Sequence, residues 1–320
     1  MRLLKKPVLC NYYLTYRCNA KCGFCDIWER PSPYVTLENA KQNLSDLRRL
    51  GVRVVDFTGG EPLLHRQLPE LLAMAKEMGF ITTVTTNTLL YPKQAQRLAG
   101  LIDMLHFSLD SIDEEAHNAS RGVACYGHLI ESIGVAHDLG ERPDILFTVT
   151  DENVSEIAQV YERFVEKQGM HLILNPIFTY NGVGEDMDEE TLMELREWCK
   201  RPGVYLNESF LDLRIAGGNS TKAPICKAGS TTIVISPENE LVLPCYHLGI
   251  SSLKIENKLY ELWTSDKVQG EIAQEGRLPG CEGCVVNCYM EPSMAVETGP
   301  YFWRSTQSTI KYALEKWVYG

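Results

Sequence analysis

Long apolar runs are absent from this sequence of 320 residues. No stretch approaches the roughly 20 consecutive apolar residues that a membrane-spanning helix needs. Residues 1–14 contain two lysines but lack the apolar segment of a secretory signal. The sequence therefore predicts a cytoplasmic protein without a membrane span.

Positive charge is also scarce, because 31 Lys and Arg residues face 42 Asp and Glu residues, for a net charge of -11. Proteins that bind nucleic-acid backbones use Lys and Arg to neutralise phosphates. An extended phosphate-binding surface is therefore excluded, although a local basic patch is not. We expect no nucleic-acid partner.

Cysteine, in contrast, is abundant, with 11 residues in the chain. Thiols of cytoplasmic proteins are kept reduced, so a disulfide framework is not expected without an export signal. With 44% hydrophobic residues the chain can fill the core of one large domain, or of a large and a small one. Metal ligation is therefore the first explanation for the cysteines.

The first half of the sequence alternates β-rich runs with helix-period segments, which is typical of βα units around a parallel sheet or barrel. Thr36 and Gly51 are expected to cap the first helix, whose apolar residues recur at helical spacing. Six strands are predicted, at residues 8–14, 52–58, 80–86, 102–110, 145–150 and 171–176.

The alternation stops after residue 176, and we place a domain boundary between residues 185 and 186. An acidic helix is expected from residue 188 to about residue 200. Residues 233–236 and 241–243 then predict a β-hairpin, with Cys226 shortly before it and Cys245 just after it. The hairpin presents cysteines at both ends.

A compact cysteine run, Cys18-x3-Cys22-x2-Cys25, follows the first predicted strand. Three thiolates so closely spaced can bind three irons of a cubane and leave the fourth iron open for a small molecule. A structural zinc site is the competing interpretation, but zinc normally takes four ligands in two pairs. The run therefore favours an iron-sulfur cluster.

The run, with Phe24 directly before its last cysteine, resembles the signature of the radical S-adenosylmethionine (radical SAM) superfamily. The resemblance implies a partial (β/α)6 TIM-like barrel in residues 1–185, a 4Fe-4S cluster on Cys18, Cys22 and Cys25, and bound S-adenosylmethionine. The barrel class agrees with the six predicted strands.

Further segments resemble this family at the ends of the predicted strands. Gly59-Gly60-Glu61-Pro62 resembles its GGEP turn, in which the acidic residue accepts from the cofactor ammonium. Asn87 and Ser108 match positions that contact the ribose and carboxylate, and Arg121 resembles the arginine that clamps the carboxylate. The family usually has Gly after Thr-Asn, whereas Thr88 stands here. The implied cofactor-binding set is Phe24, Gly59, Gly60, Glu61, Asn87, Ser108 and Arg121.

A second cysteine group lies in residues 186–320, which resemble the auxiliary-cluster domain of SPASM and twitch radical SAM enzymes. The resemblance implies a small α+β domain with one auxiliary 4Fe-4S cluster, because five cysteines complete one cluster but not two. Cys226 and Cys245 would be joined by two of the other three. A zinc site on the same thiolates is the alternative. The five cysteines are Cys226, Cys245, Cys281, Cys284 and Cys288.

Two further residues are candidate catalytic groups. Cys125 follows Arg121-Gly122 and would face the substrate at the barrel mouth, or else be a buried small hydrophobe like Cys10 and Cys199. His106 lies two residues before Ser108 on the predicted strand, so the two side chains face the same side of the sheet. His106 would be a luminal acid-base group or a hydrogen-bonded core histidine.

The resemblance implies cleavage of S-adenosylmethionine to a 5'-deoxyadenosyl radical, which abstracts a hydrogen atom from a substrate. Net oxidation is the leading outcome, with a flavodoxin or ferredoxin as reductant. Because the first strand begins near residue 8, we expect no separate leader-binding domain, which favours a small metabolite or cofactor precursor over peptide maturation. A non-catalytic iron-sulfur electron carrier or a zinc-stabilised binding protein is the alternative of another class.

Overall fold

A computed structural model describes residues 6–179 and 187–319 of the chain. The described part contains one ten-stranded sheet. Its strands are β1 (Leu9–Tyr13), β2 (Val54–Thr58), β3 (Ile81–Thr86), β4 (Met104–Leu109), β5 (Asp144–Val149), β6 (Leu172–Pro176), β7 (Val204–Tyr205), β8 (Thr232–Ile235), β9 (Glu240–Leu243) and β10 (Ser251–Lys254).

Helices alternate with the first six strands and dominate the second half. They are α1 (Leu37–Leu50), α2 (Leu68–Glu77), α3 (Tyr91–Leu98), α4 (Glu114–Arg121), α5 (Tyr126–Asp138), α6 (Ile157–Val160), α7 (Glu189–Trp198), α8 (Glu208–Ile215), α9 (Ala228–Thr231), α10 (Leu259–Thr264), α11 (Asp266–Ile272), α12 (Asn287–Met294) and α13 (Phe302–Leu314). A turn of π-helix, Tyr161–Glu166, continues α6, and another, Glu315–Tyr319, continues α13. Within the described ranges, none of these helices is both long and apolar enough to cross a membrane.

The sheet order is β10-β9-β8-β1-β2-β3-β4-β5-β6-β7, and β1 to β7 pair in parallel. The sheet ends at β10 and β7 and does not close. All six predicted strands are present, and the partial α/β barrel is confirmed.

Local sequence signals account for α1. Thr36 accepts a hydrogen bond from the Asn39 backbone nitrogen at 3.2 Å, and Gly51 ends the helix at a φ of 97°. Its buried face carries leucines that pack on the sheet. The predicted caps are confirmed.

Two elements differ from the sequence expectation. The helix α4 was not predicted, although Asp113 caps it by accepting from the Ala116 backbone nitrogen at 2.9 Å. The predicted hairpin is present as β8 and β9, but β8 also pairs in parallel with β1. The sheet therefore continues from the predicted barrel into the predicted second domain. The proposed boundary at residues 185–186 lies outside the described residues and stays a prediction.

The lower end of the barrel lumen is filled by charged and aromatic side chains. Asp144, the first residue of β5, accepts hydrogen bonds from Tyr312 and Lys316 at 2.5 Å each. His106 on β4 lies 3.8 Å from the same carboxylate. The C-terminal helix is thus bound to the barrel floor.

The helix α12 spans the open side of the barrel. Asn287 donates to the Asn175 side chain of β6 at 2.5 Å, while Tyr289 bonds to the Asn11 side chain of β1. The Tyr289 hydroxyl also accepts from the Tyr246 backbone nitrogen at 2.9 Å. One face of α12 therefore borders the lumen.

Candidate functional site

The turn after β2 holds the first cysteine loop in place. The Gly60 nitrogen donates to the Thr15 carbonyl oxygen at 2.9 Å, and the Glu61 nitrogen donates to the Arg17 carbonyl oxygen at 2.9 Å. A Cβ on Gly59 would lie 2.1 Å from the Thr15 oxygen, and one on Gly60 would lie 2.3 Å from the Arg17 oxygen. Only glycine allows this approach, which places Glu61 beside the loop of Cys18.

Glu61 is buried at the upper edge of the sheet with 1% of its surface exposed. One carboxylate oxygen accepts from the Leu63 nitrogen and the Thr86 hydroxyl, at 3.0 and 2.8 Å, and the other accepts from the Asn87 nitrogen at 2.9 Å. Burial nevertheless raises the pKa of Glu61 to about 7. The carboxylate is thus held rigidly, with capacity to accept from a further donor.

Asn87 lies between Glu61 and the first cysteine. Its amide nitrogen donates to the Asn19 side chain at 2.7 Å and lies 3.8 Å from the Cys18 sulfur. The next residue, Thr88, has a φ of 68°, in the left-handed region where glycine is favoured. The Thr88 hydroxyl donates to the Asn87 carbonyl oxygen at 2.7 Å. The unusual threonine therefore keeps the glycine-like conformation of this turn.

Arg121 ends α4 beside the second cysteine of the run. Its guanidinium bonds to the Asp110 carboxylate at 2.5 Å and lies 3.9 Å from the Cys22 sulfur. The Phe24 ring centroid is 5.6 Å from the guanidinium carbon. The adjacent carboxylate raises the pKa of Arg121, which stays cationic. The structure thus places Arg121 beside Phe24 and the cysteine loop, and the cofactor-binding role of both residues stays a prediction.

Asp110 is a site residue that the sequence reasoning did not assign as a partner of Arg121. It accepts from the Ser120 hydroxyl at 2.8 Å as well as from Arg121. Its position directly after β4, 11 residues before an arginine, is the sequence feature that could have indicated this ion pair. Asp110 orients the guanidinium and neutralises part of its charge.

Ser108 lies on the luminal face of β4, below these groups. It is 7% exposed. On the neighbouring strands it is aligned with Leu146 of β5, then Ile173 of β6 and then Tyr205 of β7. The structure therefore places Ser108 in the lumen rather than in the cluster loop.

The second cysteine group surrounds a cavity of about 320 Å³. Cys226, Cys245, Cys281 and Cys284 all line it, together with His247 and Tyr289. Burial raises the pKa of each of these thiols, so a bound metal would have to stabilise the thiolate forms. Four thiols on one cavity fit the ligand set of a single cluster.

Cys288, the fifth cysteine, is not among the lining residues of that cavity. It lies in the first turn of α12 and interacts electrostatically with Cys245, with Asp56 of β2 and with Cys284. Cys288 is thus near two of the four cavity cysteines but does not line the cavity itself.

Asn219 organises the second cavity and was missed by the sequence reasoning. Its amide donates to the carbonyl oxygens of Gly276 and Cys281, at 2.9 and 3.0 Å. Its side-chain oxygen accepts from the backbone nitrogens of Ile225 and Cys226, at 3.0 and 3.1 Å. One buried amide thus joins the two cysteine-bearing loops.

Aromatic rings connect the two cysteine sites. The Tyr246 ring, next to Cys245, stacks on Tyr13 with centroids 4.4 Å apart and lies 5.8 Å from Tyr16, two residues before Cys18. The two sites therefore belong to one packed region.

The candidate catalytic residues occupy other positions. Cys125 is fully buried, and its sulfur lies 3.3 Å from His117 Nε2. His106 lies low in the lumen, where Thr85 contacts its Nδ1 at 3.2 Å, and burial lowers its pKa. Their catalytic roles stay predictions. Cys10 and Cys199 are buried, as expected of small core residues.

Within residues 6–179 and 187–319, no three His, Cys, Asp or Glu side chains converge as a site for a single metal ion.

Sequence comparison identifies related proteins. Residues 12–164 match the family described as the Radical SAM superfamily. The Fe-coproporphyrin III synthase of Methanosarcina barkeri is 29% identical over 59% of this chain and 48% of its own length. A probable GTP 3',8-cyclase of Sulfurisphaera tokodaii is 28% identical over 71% of this chain and 78% of its own length. The chain thus spans about half of the first relative.

Structural comparison supports the fold. The crystal structure of Streptococcus suis SuiB bound to S-adenosylmethionine aligns with 84% of this chain and 68% of its own chain, at a TM-score of 0.66. The two sequences are 21% identical. The likeness shows a shared architecture.

Proposed function

Because residues 12–164 match the Radical SAM superfamily, we propose that the chain is an enzyme that cleaves S-adenosylmethionine reductively and oxidises a small polar molecule held in the barrel lumen. The observation that carries the proposal is the convergence of Glu61, Asn87 and Arg121 on the loop of Cys18 and Cys22.

The three thiols of Cys18, Cys22 and Cys25 suit a 4Fe-4S cluster with one open iron. Such a cluster, when bound, supplies the electron that converts S-adenosylmethionine into methionine and a 5'-deoxyadenosyl radical, which abstracts a hydrogen atom from the substrate. A small ferredoxin or flavodoxin is the expected reductant.

The residues around the loop would bind S-adenosylmethionine by charge and shape. Glu61 accepts from its ammonium group, and Arg121, fixed by Asp110, binds its carboxylate through the planar guanidinium. Asn87 supplies an amide close to Cys18. These residues would thereby hold both ends of the amino-acid moiety beside the loop of Cys18 and Cys22.

We assign the auxiliary cluster to Cys226, Cys245, Cys281 and Cys284, because these four share one cavity. This auxiliary site would accept an electron from the substrate radical, which makes net oxidation the favoured outcome. Zinc on the same thiols is the alternative that the cysteine spacing leaves open. In the described residues no three such side chains converge on a single-ion site, and metal analysis distinguishes the two.

Anaerobic reconstitution with iron and sulfide tests both assignments. The native protein should bind about eight irons and sulfides per chain, and S-adenosylmethionine should change the electron paramagnetic resonance spectrum of the reduced protein. Cys22→Ser should lose that change, and Cys284→Ser should lose about four irons. Cys288→Ser should retain all of the iron, as should Cys199→Ser, a buried cysteine of the C-terminal end of α7.

Each failure has a distinct meaning. A native spectrum that does not respond to S-adenosylmethionine contradicts the enzymatic proposal. A content of about one zinc and about four irons per chain would show that the second cysteine group binds zinc instead of an auxiliary cluster. Loss of iron in Cys288→Ser but not in Cys284→Ser would refute the assignment of the four auxiliary ligands.

A further inference from the structure

Two carboxyl groups face the barrel lumen from opposite sides. Asp56 lies on β2, in register with Asn11 of β1 and Thr83 of β3. Glu291 lies on α12, where its carboxylate accepts from the Tyr205 hydroxyl of β7 at 2.8 Å. Both groups lie deep in the molecule yet keep partial solvent access. This combination indicates that they border an internal space.

Among residues 6–179 and 187–319, neither carboxyl group has a cationic partner. No Lys, Arg or His nitrogen of the described residues lies within 4.0 Å of Asp56 or Glu291. Asp110 and Asp144, in contrast, pair with Arg121 and Lys316 at 2.5 Å. A buried carboxylate without a positive partner is costly, so native proteins usually supply one.

In the described part of the chain, the hydrogen-bond donors to the two luminal carboxyl groups are all neutral. Thr83 donates to Asp56 at 2.6 Å, whereas Tyr205 and Asn207 donate to Glu291. Burial raises the pKa of Asp56 to about 6 and that of Glu291 to about 7. When ionised, neither carboxylate is compensated by a cation of the described residues. A cation bound in the lumen would remove this cost.

Ser108 independently marks the same space as a binding site. It is 7% exposed, and its hydroxyl bonds to no residue in the described part of the chain. Strand pairing places Ser108 in the same row of residues across the sheet as Tyr205, and that row faces the lumen. Tyr205 is the residue that donates to Glu291. The hydroxyl oxygen is not a fully enclosed polar atom, so a ligand or water in the lumen can bond to it.

We propose that the lumen recognises a small polar substrate through its ammonium group, with Asp56 and Glu291 as anionic partners and Ser108 bonding to a neutral polar group. The proposal rests on the proposed function, since the substrate has to lie below the S-adenosylmethionine site for hydrogen abstraction. It selects amine-bearing molecules against neutral and acidic ones of equal size.

Three sugars that differ at the sixth carbon test this selection: 6-amino-6-deoxyglucose, glucose and glucuronate carry charges of about +1, 0 and -1 at pH 8. Binding of each to the reconstituted protein is measured by calorimetry at pH 8. The amino sugar should bind at least about tenfold more tightly than glucose, and glucuronate should bind most weakly. Asp56→Asn and Glu291→Gln should each weaken binding of the amino sugar about tenfold or more. Glu261→Gln, which neutralises an exposed carboxylate of α10, should bind like the native protein.

The native protein alone can overturn the proposal, so it does not depend on the folding of the variants. Equal affinity for the three sugars, or no binding of any, refutes ammonium recognition. The response to S-adenosylmethionine is recorded on the same samples. If that response is normal while charge selection is absent, only the luminal proposal fails. If the response is missing, the proposed function fails and the luminal proposal with it.

Discussion

Replacing Gly60 with alanine should disrupt the first site although it adds only one methyl group. The new Cβ would lie 2.3 Å from the Arg17 carbonyl oxygen and 2.5 Å from the Tyr16 carbonyl oxygen. Both contacts are with backbone, which cannot rotate away as a flexible side chain can. The turn and the cysteine loop therefore have to separate.

The magnitude follows from two contributions. Forcing an extra carbon into packed surroundings costs about 1–3 kcal/mol. Separation also weakens the two backbone hydrogen bonds from Gly60 to Thr15 and from Glu61 to Arg17, worth about 0.5–1.5 kcal/mol each. Gly60→Ala should therefore lower the free energy of unfolding by about 2–6 kcal/mol.

Urea unfolding of the cluster-free protein measures this loss, and S-adenosylmethionine titration of the reconstituted protein measures the displacement of Glu61. Gly134→Ala is the matched control, because that glycine lies in α5 with nothing within 4 Å of the added Cβ. The control should be more stable by about 0.5–1 kcal/mol, since alanine is the better helix former. A Gly60→Ala protein with native stability and native S-adenosylmethionine affinity would refute the steric argument.

Three further predictions address other groups. Arg121→Lys keeps the charge but loses the planar fork, so S-adenosylmethionine should bind at least about tenfold more weakly at unchanged iron content; native affinity would contradict the proposed clamp. Asn219→Ala removes four hydrogen bonds and should release about four irons from the second site while the S-adenosylmethionine response persists; full iron content would show that the loops do not need this amide. The pKa of Glu291 rises from 4.5 to about 7 on folding, so the folded state holds this proton more tightly and its contribution to stability falls as the pH rises from about 4.5 to about 7. In Glu291→Gln, the free energy of unfolding measured with urea should fall by roughly 1–3 kcal/mol less across this pH range than in the native protein. The same pH dependence in both proteins would contradict the burial of the group.

Local chemistry made several features readable from the residues alone. The α1 caps, Thr36 and Gly51, act within one or two turns of the backbone, so their residue types predict their positions. The three cysteines of the first run lie within eight residues, and their spacing limits them to one site. The helical and strand periods likewise predict the six βα units, because each period reports which face is buried.

The second site depended on long-range packing. Sequence spacing left three choices for the last two auxiliary ligands, since Cys281, Cys284 and Cys288 are all near one another in the chain. The tertiary structure distinguishes them, because Cys281 and Cys284 line the cavity whereas Cys288, in the first turn of α12, does not. The parallel pairing of β8 with β1 was equally unreadable, since it joins strands more than 200 residues apart.

The residue types of this chain by themselves determine that it binds a thiolate-held cluster beside a parallel sheet, because cysteine spacing and strand periodicity are local properties. Only the tertiary structure decides which charges have partners. Arg121 meets Asp110, and Lys316 meets Asp144, through contacts between separate elements. Asp56 and Glu291 meet no cation among the described residues, and this difference arises because burial and pairing depend on how the elements pack.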